Sequence, residues 1–236
     1  MSSPVGSTRS YNASIAEAER ISGFLSKTYG WMFIGLGVTA AVAFFVAGSP
    51  AIQNVLFTSA IARWGLFFVT LGMVWYLSAR VDTIEPGTAA ILFTVYSALM
   101  GTMLSGIFLL YTGGSIATTF VTTAAMFGAL ALYGTVTKRS LAGVGQFAFM
   151  GLIGVVIASV VGIFWHNSML QFVISVCGVV VFTGLTAWDA QKLKHMALAL
   201  PDGRTGSYAI VGALALYLDF INLFLFLLRL FGGRRQ

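Results

Sequence analysis

Chemistry in this chain starts from two carboxylates. Asp189 in TGLTAWDAQK and Asp219 in LALYLDFINLF lie inside apolar stretches of membrane length, whereas Glu17, Glu19, Asp82, Glu85 and Asp202 fall in polar stretches. A charge at the centre of a bilayer costs about 3 kcal/mol on insertion scales, so such residues mark ion or proton paths more often than they idle. Thr183, Thr186 and Asp189 recur every three residues, which sets them along one helical stripe, and Asp219 and Asn222 share a face at the same spacing. Two polar stripes on apolar helices are satisfied by facing each other or a wet cavity. Carboxylates that meet there cannot both ionise cheaply, and one of them keeps a proton. The competing arrangement pairs Asp189 with Lys192 one turn on and leaves Asp219 merely hydrogen-bonded. Arg80, closing the second apolar run on the same side, is the cationic partner to expect; a snorkelling topology anchor is the plainer role for it.

The elements that position these residues follow from composition. Of the 236 residues, 58% are hydrophobic and 8% charged, against about 25% charged in a soluble domain. So few charges cannot clothe a water-exposed surface. The apolar runs are continuous rather than alternating, which selects helices over an outer-membrane barrel. Seven runs are read, at about 29–47, 61–80, 88–110, 116–136, 143–165, 169–191 and 207–231, each near the ~20 residues that cross the hydrocarbon layer. Turn chemistry separates them, as at Gly48-Ser49-Pro50, Glu85-Pro86-Gly87 and Pro201-Asp202-Gly203. The expected fold is an all-α polytopic bundle of seven transmembrane helices. Its expected divisions are a polar N-terminal segment (1–28), the transmembrane domain (29–231) and a basic tail (232–236).

Within the polar segment, Ser14 and Glu17 have capping-box spacing and predict a short interfacial helix to about Lys27, or one that runs on into the first span. No apolar signal-peptide core precedes Tyr29. Placing the N-terminus inside puts nine Lys and Arg in inner segments (Arg9, Arg20, Lys27, Arg80, Lys138, Arg139, Lys192, Lys194, Arg204) and four outside (Arg63, Arg229, Arg234, Arg235). That bias predicts a cytoplasmic N-terminus, with the basic tail dissenting. Gly154, Ala158 and Gly162, and Gly101 with Ser105, have the spacing of close helix packing.

Several classes of chemistry find no support. His166 and His195 have no cysteine or carboxylate at metal-ligand spacing, and Cys177 has no second cysteine and reads as a small buried hydrophobe. No nucleophile elbow, HExxH or phosphate-cradling loop is present, so no enzyme and no cofactor is expected. The net charge of +6 belongs to segment ends, where topology places it, and does not point to nucleic acid.

TGLTAWDAQKLK and ALALYLDFINLFLFLLRLFG together resemble the Bax inhibitor-1 family, the transmembrane BAX inhibitor motif proteins. The polar lead and YGWMFIGLGVTA look like its bacterial YccA/YbhL-type branch, and the resemblance covers about residues 24–232. The family's first aspartate segment reads threonine–alanine–aromatic–aspartate–threonine–glutamine; here Trp188 is the aromatic and Ala190 replaces the second threonine, which removes a hydroxyl beside the site. The resemblance implies a bundle with the last helix central and a pH-sensitive calcium leak in the bacterial inner membrane. It further implies that Asp189 and Asp219 form a di-aspartyl pH sensor and that Arg80 is the match for a latch arginine; Thr186 and Asn222, on the aspartates' own stripes, are the polar side chains expected to support the pair. Suppression of cell death in eukaryotes and modulation of a membrane-bound AAA protease in bacteria are also implied.

Two functions are therefore expected to compete. In one, the pair gates a leak of calcium, held only transiently because Ca²⁺ takes six to eight oxygens and two carboxylates supply too few. In the other, the protein binds a membrane protease through its N-terminal segment and the aspartates only stabilise the bundle.

Overall fold

The computed structural model describes residues 5–165, 167–201 and 204–235; His166 and the expected turn at Asp202-Gly203 lie outside the described residues. Nine helices are present among them: α1 (Val5–Ala47), α2 (Pro50–Thr58), α3 (Ala60–Ala79), α4 (Pro86–Leu104), α5 (Ile107–Leu110), α6 (Gly113–Val136), α7 (Ala142–Phe164), α8 (Ser168–Ala199) and α9 (Thr205–Phe231). Seven segments are long and apolar enough to cross a membrane, with α4 and α5 together making the third.

Local chemistry explains where they start and stop. Proline stands at the first turn of α2 and α4, where its missing N–H costs nothing. The hydroxyls of Ser59 and Thr112 accept from Ala62 N and Ser115 N to open α3 and α6, and Asn167 Oδ1 accepts from Met169 N at 2.8 Å to open α8. The third span breaks at Ser105-Gly106, where Ser105 Oγ donates to Thr102 O at 2.8 Å.

Of the two readings of the N-terminal segment, the structure has the one that runs on into the first span: the segment is the first part of α1, although Ser14, expected as a cap, lies well inside that helix. The 43 residues of α1 make a rod of about 65 Å at 1.5 Å per residue, over twice the hydrocarbon thickness, so its first turns extend past the span. Helix α8 continues eight residues beyond the expected limit of 191, to Ala199.

Helix α9 is the axis of the bundle. Its apolar window is 72% buried, against 11–39% for the other six spans, and α1, α3, α4, α6 and α8 all pack on it. It runs the full length of the bundle and is long and apolar enough to cross a membrane. Its start is tied to the α3–α4 loop by Ser207 Oγ donating to Ile84 O at 2.7 Å. Its end lies beside Tyr111, where Thr112 N donates to Gly233 O at 3.1 Å and Arg235 N to Leu110 O at 3.0 Å. The tail therefore sits at the opposite end of the bundle from the α3–α4 loop. The outer surface carries Phe44, Trp75, Phe147 and Phe164, as a surface solvated by lipid would.

Small residues set the closest approaches. A Cβ on Gly101 would come within 2.6 Å of Thr39 O on α1, and one on Gly134 would collide with Ala187 O on α8. Of the expected seam on α7, Gly162 packs on α8, where a Cβ would come within 2.8 Å of Gln171 Nε2, and Ala158 packs on the cluster around Val155 and Ile174. Nothing lies within 4 Å of a would-be Cβ on the outward-facing Gly154. Cys177 is exposed on the lipid-facing side of α8 rather than buried.

Candidate functional site

The longer α8 resolves the vertical registry of the two aspartates. Asp189 lies ten residues before the end of α8 and Asp219 fourteen after the start of α9, about 15 and 21 Å from the same end of the bundle. The antiparallel helices α8 and α9 thus carry them to nearly one level. Their carboxyl groups lie within hydrogen-bonding reach of each other. Asp219 is 4% exposed and Asp189 is half-buried. No N–H or O–H donor of the described residues reaches Asp219 Oδ2. A hydrogen bond between two carboxyls needs a proton on one of them, and an orphaned buried oxygen needs a proton or a cation.

The cation that faces Asp189 is Lys192, one turn on along α8. Its Nζ also stands 5.2 Å from the centroid of the Trp188 ring, close enough for a cation–π contact. Arg80 is placed differently. It caps α3, its backbone N–H donating to Tyr76 O at 3.0 Å, and its exposed side chain makes no ion pair with either aspartate among the described residues. Its neighbour Val81 does line the site: a cavity of about 110 Å³ bounded by Val81, Asp189, Lys192, Tyr208 and Gly212 opens beside Asp189. The remaining expected site residues are satisfied locally. Thr186 Oγ1 donates to Phe182 O at 2.7 Å, Thr183 Oγ1 to Val179 O at 2.7 Å, and Asn222 Nδ2 to Leu218 O at 2.8 Å. Back-bonding along their own helices takes these donors away from the carboxyl pair.

Three features around the pair were not drawn from the sequence. Gln191 staples the α6–α7 loop to α8, its Nε2 donating to Arg139 O at 2.8 Å and its Oε1 accepting from Leu141 N at 2.8 Å. Tyr217 is fully buried and bonds Thr39 Oγ1 at 2.6 Å. Because the Thr39 proton goes to Ser97 O at 2.9 Å, Tyr217 is the donor in that pair. Tyr208 Oη donates to Asp82 Oδ1, and Arg204 Nη1 to Asp82 O at 3.0 Å, clasping the α3–α4 loop over the small cavity. The available signal was a hydroxyl or amide inside an apolar run, which must find a partner in the bundle.

Beyond Asp219 the interior is rich in rings and leucine, and buried hydroxyls such as those of Thr123 and Ser175 bond back to carbonyls of their own helices. Leu223 is fully buried, and Phe220 packs against Phe127 and Phe120 with centroids 5.5 and 5.3 Å apart. The site is thus a carboxyl pair joined to a small cavity at one end and sealed by rings and leucine toward the other.

The chain matches the profile of the family described as Inhibitor of apoptosis-promoting Bax1 over residues 21–236. It belongs to the Bax inhibitor-1 family. The inner membrane protein YbhL of Escherichia coli is 49% identical over 215 residues, covering 90% of this chain and 92% of its own length. Uncharacterised proteins of Borreliella burgdorferi and Rickettsia prowazekii are 42% and 41% identical, covering 90% and 92% of this chain and 93% and 92% of theirs. This Bax inhibitor-1 family protein is a multi-pass inner-membrane protein, and both aspartate-bearing helices fall within the matched range.

Proposed function

We propose that the protein is a pH-sensitive leak channel for calcium or another cation, with its N-terminus in the cytoplasm and the Asp189/Asp219 pair as the proton-dependent element. The observation that carries this reading is the orphaned Asp219 Oδ2, buried in the middle of the central helix beside a second carboxyl. A bundle that needed only stability has no use for such an atom, since an unsatisfied buried oxygen costs about 1–3 kcal/mol. Proton uptake and cation binding compete for the same oxygens, which couples occupancy to pH. Among the described residues no third His, Cys, Asp or Glu joins the pair to make a metal-holding cluster. The site therefore offers calcium fewer ligands than it takes in a tight site, which suits passage rather than storage. Lys192 is the cation positioned to respond to the charge on Asp189, and an Arg80 latch requires its exposed side chain to swing inward.

Conduction requires the layer around Leu223 and Phe220 to part and the Tyr208–Asp82 clasp to loosen, so this arrangement is a closed one. The deciding test reconstitutes the purified protein in liposomes loaded with a calcium dye. Calcium entry that exceeds protein-free vesicles and changes with pH supports the channel. Flux indistinguishable from empty vesicles at every pH from about 5.5 to 8 removes it. The protease-binding reading then takes its place, tested by loss of a protease effect on deleting residues 1–22; the exposed turn of α1 at Ser14–Arg20 supplies a surface for such a partner.

A further inference from the structure

At the end of the bundle that carries the C-terminal tail, a cavity of about 670 Å³ lies between α5, α8 and α9, with Gln171, Phe172, Leu110, Arg229 and Arg234 in its wall. Its charge is one-sided. The described carboxylates are either at the other end (Glu17, Glu19, Asp82, Glu85) or inside the bundle (Asp189, Asp219), so none stands near Arg229 or Arg234. Arg229 has a long bond from Nη1 to Gln171 Oε1 at 3.4 Å and lies 5.7 Å from the Phe226 centroid. Those contacts orient the guanidinium without neutralising it.

Arg234 is held in place by the backbone. It forms an antiparallel bridge with Tyr111, flanked by the Gly233 and Arg235 bonds to Thr112 and Leu110, and Gly233 N also donates to Ser115 Oγ at 2.9 Å. The Arg229 guanidinium and the backbone that carries Arg234 are thereby held at one cavity before any ligand arrives. Phe172 and Leu110, 56% and 62% exposed, form an apolar rim that opens to lipid. Arg229 stands in the last turn of a membrane span, the level of the headgroups.

We propose that this cavity binds the headgroup phosphate of an anionic membrane phospholipid, with Arg229 and Arg234 on the phosphate oxygens and the acyl chains along Phe172 and Leu110. Guanidinium is the side chain suited to phosphate by its planar fork of donors. The lipid-facing rim selects an amphiphile over a free anion. The inference stands independently of ion conduction, because it uses the other end of the bundle and a readout of binding.

The test is native mass spectrometry of the full chain released from detergent with phosphatidylglycerol, phosphatidylcholine or inorganic phosphate added in turn. Expected is retention of phosphatidylglycerol in preference to phosphatidylcholine by the wild-type protein. Arg229→Gln with Arg234→Gln should weaken it about tenfold or more, as loss of charge-assisted bonds does, while Arg63→Gln on α3 should leave it unchanged. Equal retention of the two lipids by the wild type overturns the proposal even if the double variant fails to fold. So does an undiminished preference in a well-folded double variant, or a response to inorganic phosphate that matches the lipid.

Discussion

Replacing Asp219 or Asp189 by asparagine tests the carboxyl pair directly. Asparagine keeps the shape and its amide can still donate to the remaining carboxyl, so packing around the nearly buried Asp219 (4% exposed) changes little. What disappears is the interaction between two ionised groups. At about 4 Å and an effective dielectric of about 20, two unit charges repel by roughly 4 kcal/mol. If only a third of that, about 1.4 kcal/mol, reaches the gate, occupancy of the conducting state changes about tenfold. The sign of the coupling follows from charge: repulsion is greatest at high pH, with both groups ionised, and vanishes as one takes up a proton. The arrangement seen here, with the carboxyls in reach of each other, is therefore favoured by protonation. Wild-type flux in dye-loaded liposomes should vary about tenfold or more between about pH 5.5 and 8, and each asparagine variant by less than about threefold. If both variants keep the wild-type pH profile at wild-type yield, the pair does not sense protons and the reasoning fails.

Three other outcomes are expected. Gly134→Ala should destabilise by about 1–3 kcal/mol because its Cβ meets the Ala187 carbonyl, whereas Gly154→Ala, facing open space, should shift thermal unfolding in detergent hardly at all; equal shifts contradict the packing. Gln191→Leu removes both bonds to the Arg139–Leu141 loop and should cost about 1–3 kcal/mol for the orphaned Leu141 N–H, with faster proteolysis after Lys138; an unchanged melt and digestion rate contradict the staple. In a Cys177→Ala background, expected to fold within about 0.5 kcal/mol of wild type since that side chain is lipid-facing, cysteines at 27, 139 and 195 should label from the cytoplasm and one at 235 from the opposite side. Labelling of 139 and 235 from the same side contradicts the seven-crossing topology.

Much of this protein was decided by its sequence. Continuous apolar runs and scarce charge dictate membrane helices, because backbone polar groups in lipid must be satisfied within the segment. The isolation of Asp189 and Asp219 in those runs marks the site without any coordinates. Tertiary structure decided what no periodicity encodes. Sequence spacing placed Thr186 and Asn222 on the aspartates' faces, yet their donors turn to carbonyls four residues back, a choice governed by local rotamer geometry. Sequence spacing also offered two cations for Asp189, Lys192 one turn on and Arg80 at a span end; the structure sets Lys192 beside it and leaves the Arg80 side chain exposed. The extension of α8 to Ala199 and the pairing of the C-terminal tail with Tyr111 are set by contacts between residues distant in the chain. Those contacts set the level at which two helices place their aspartates, and only the packed bundle contains that information.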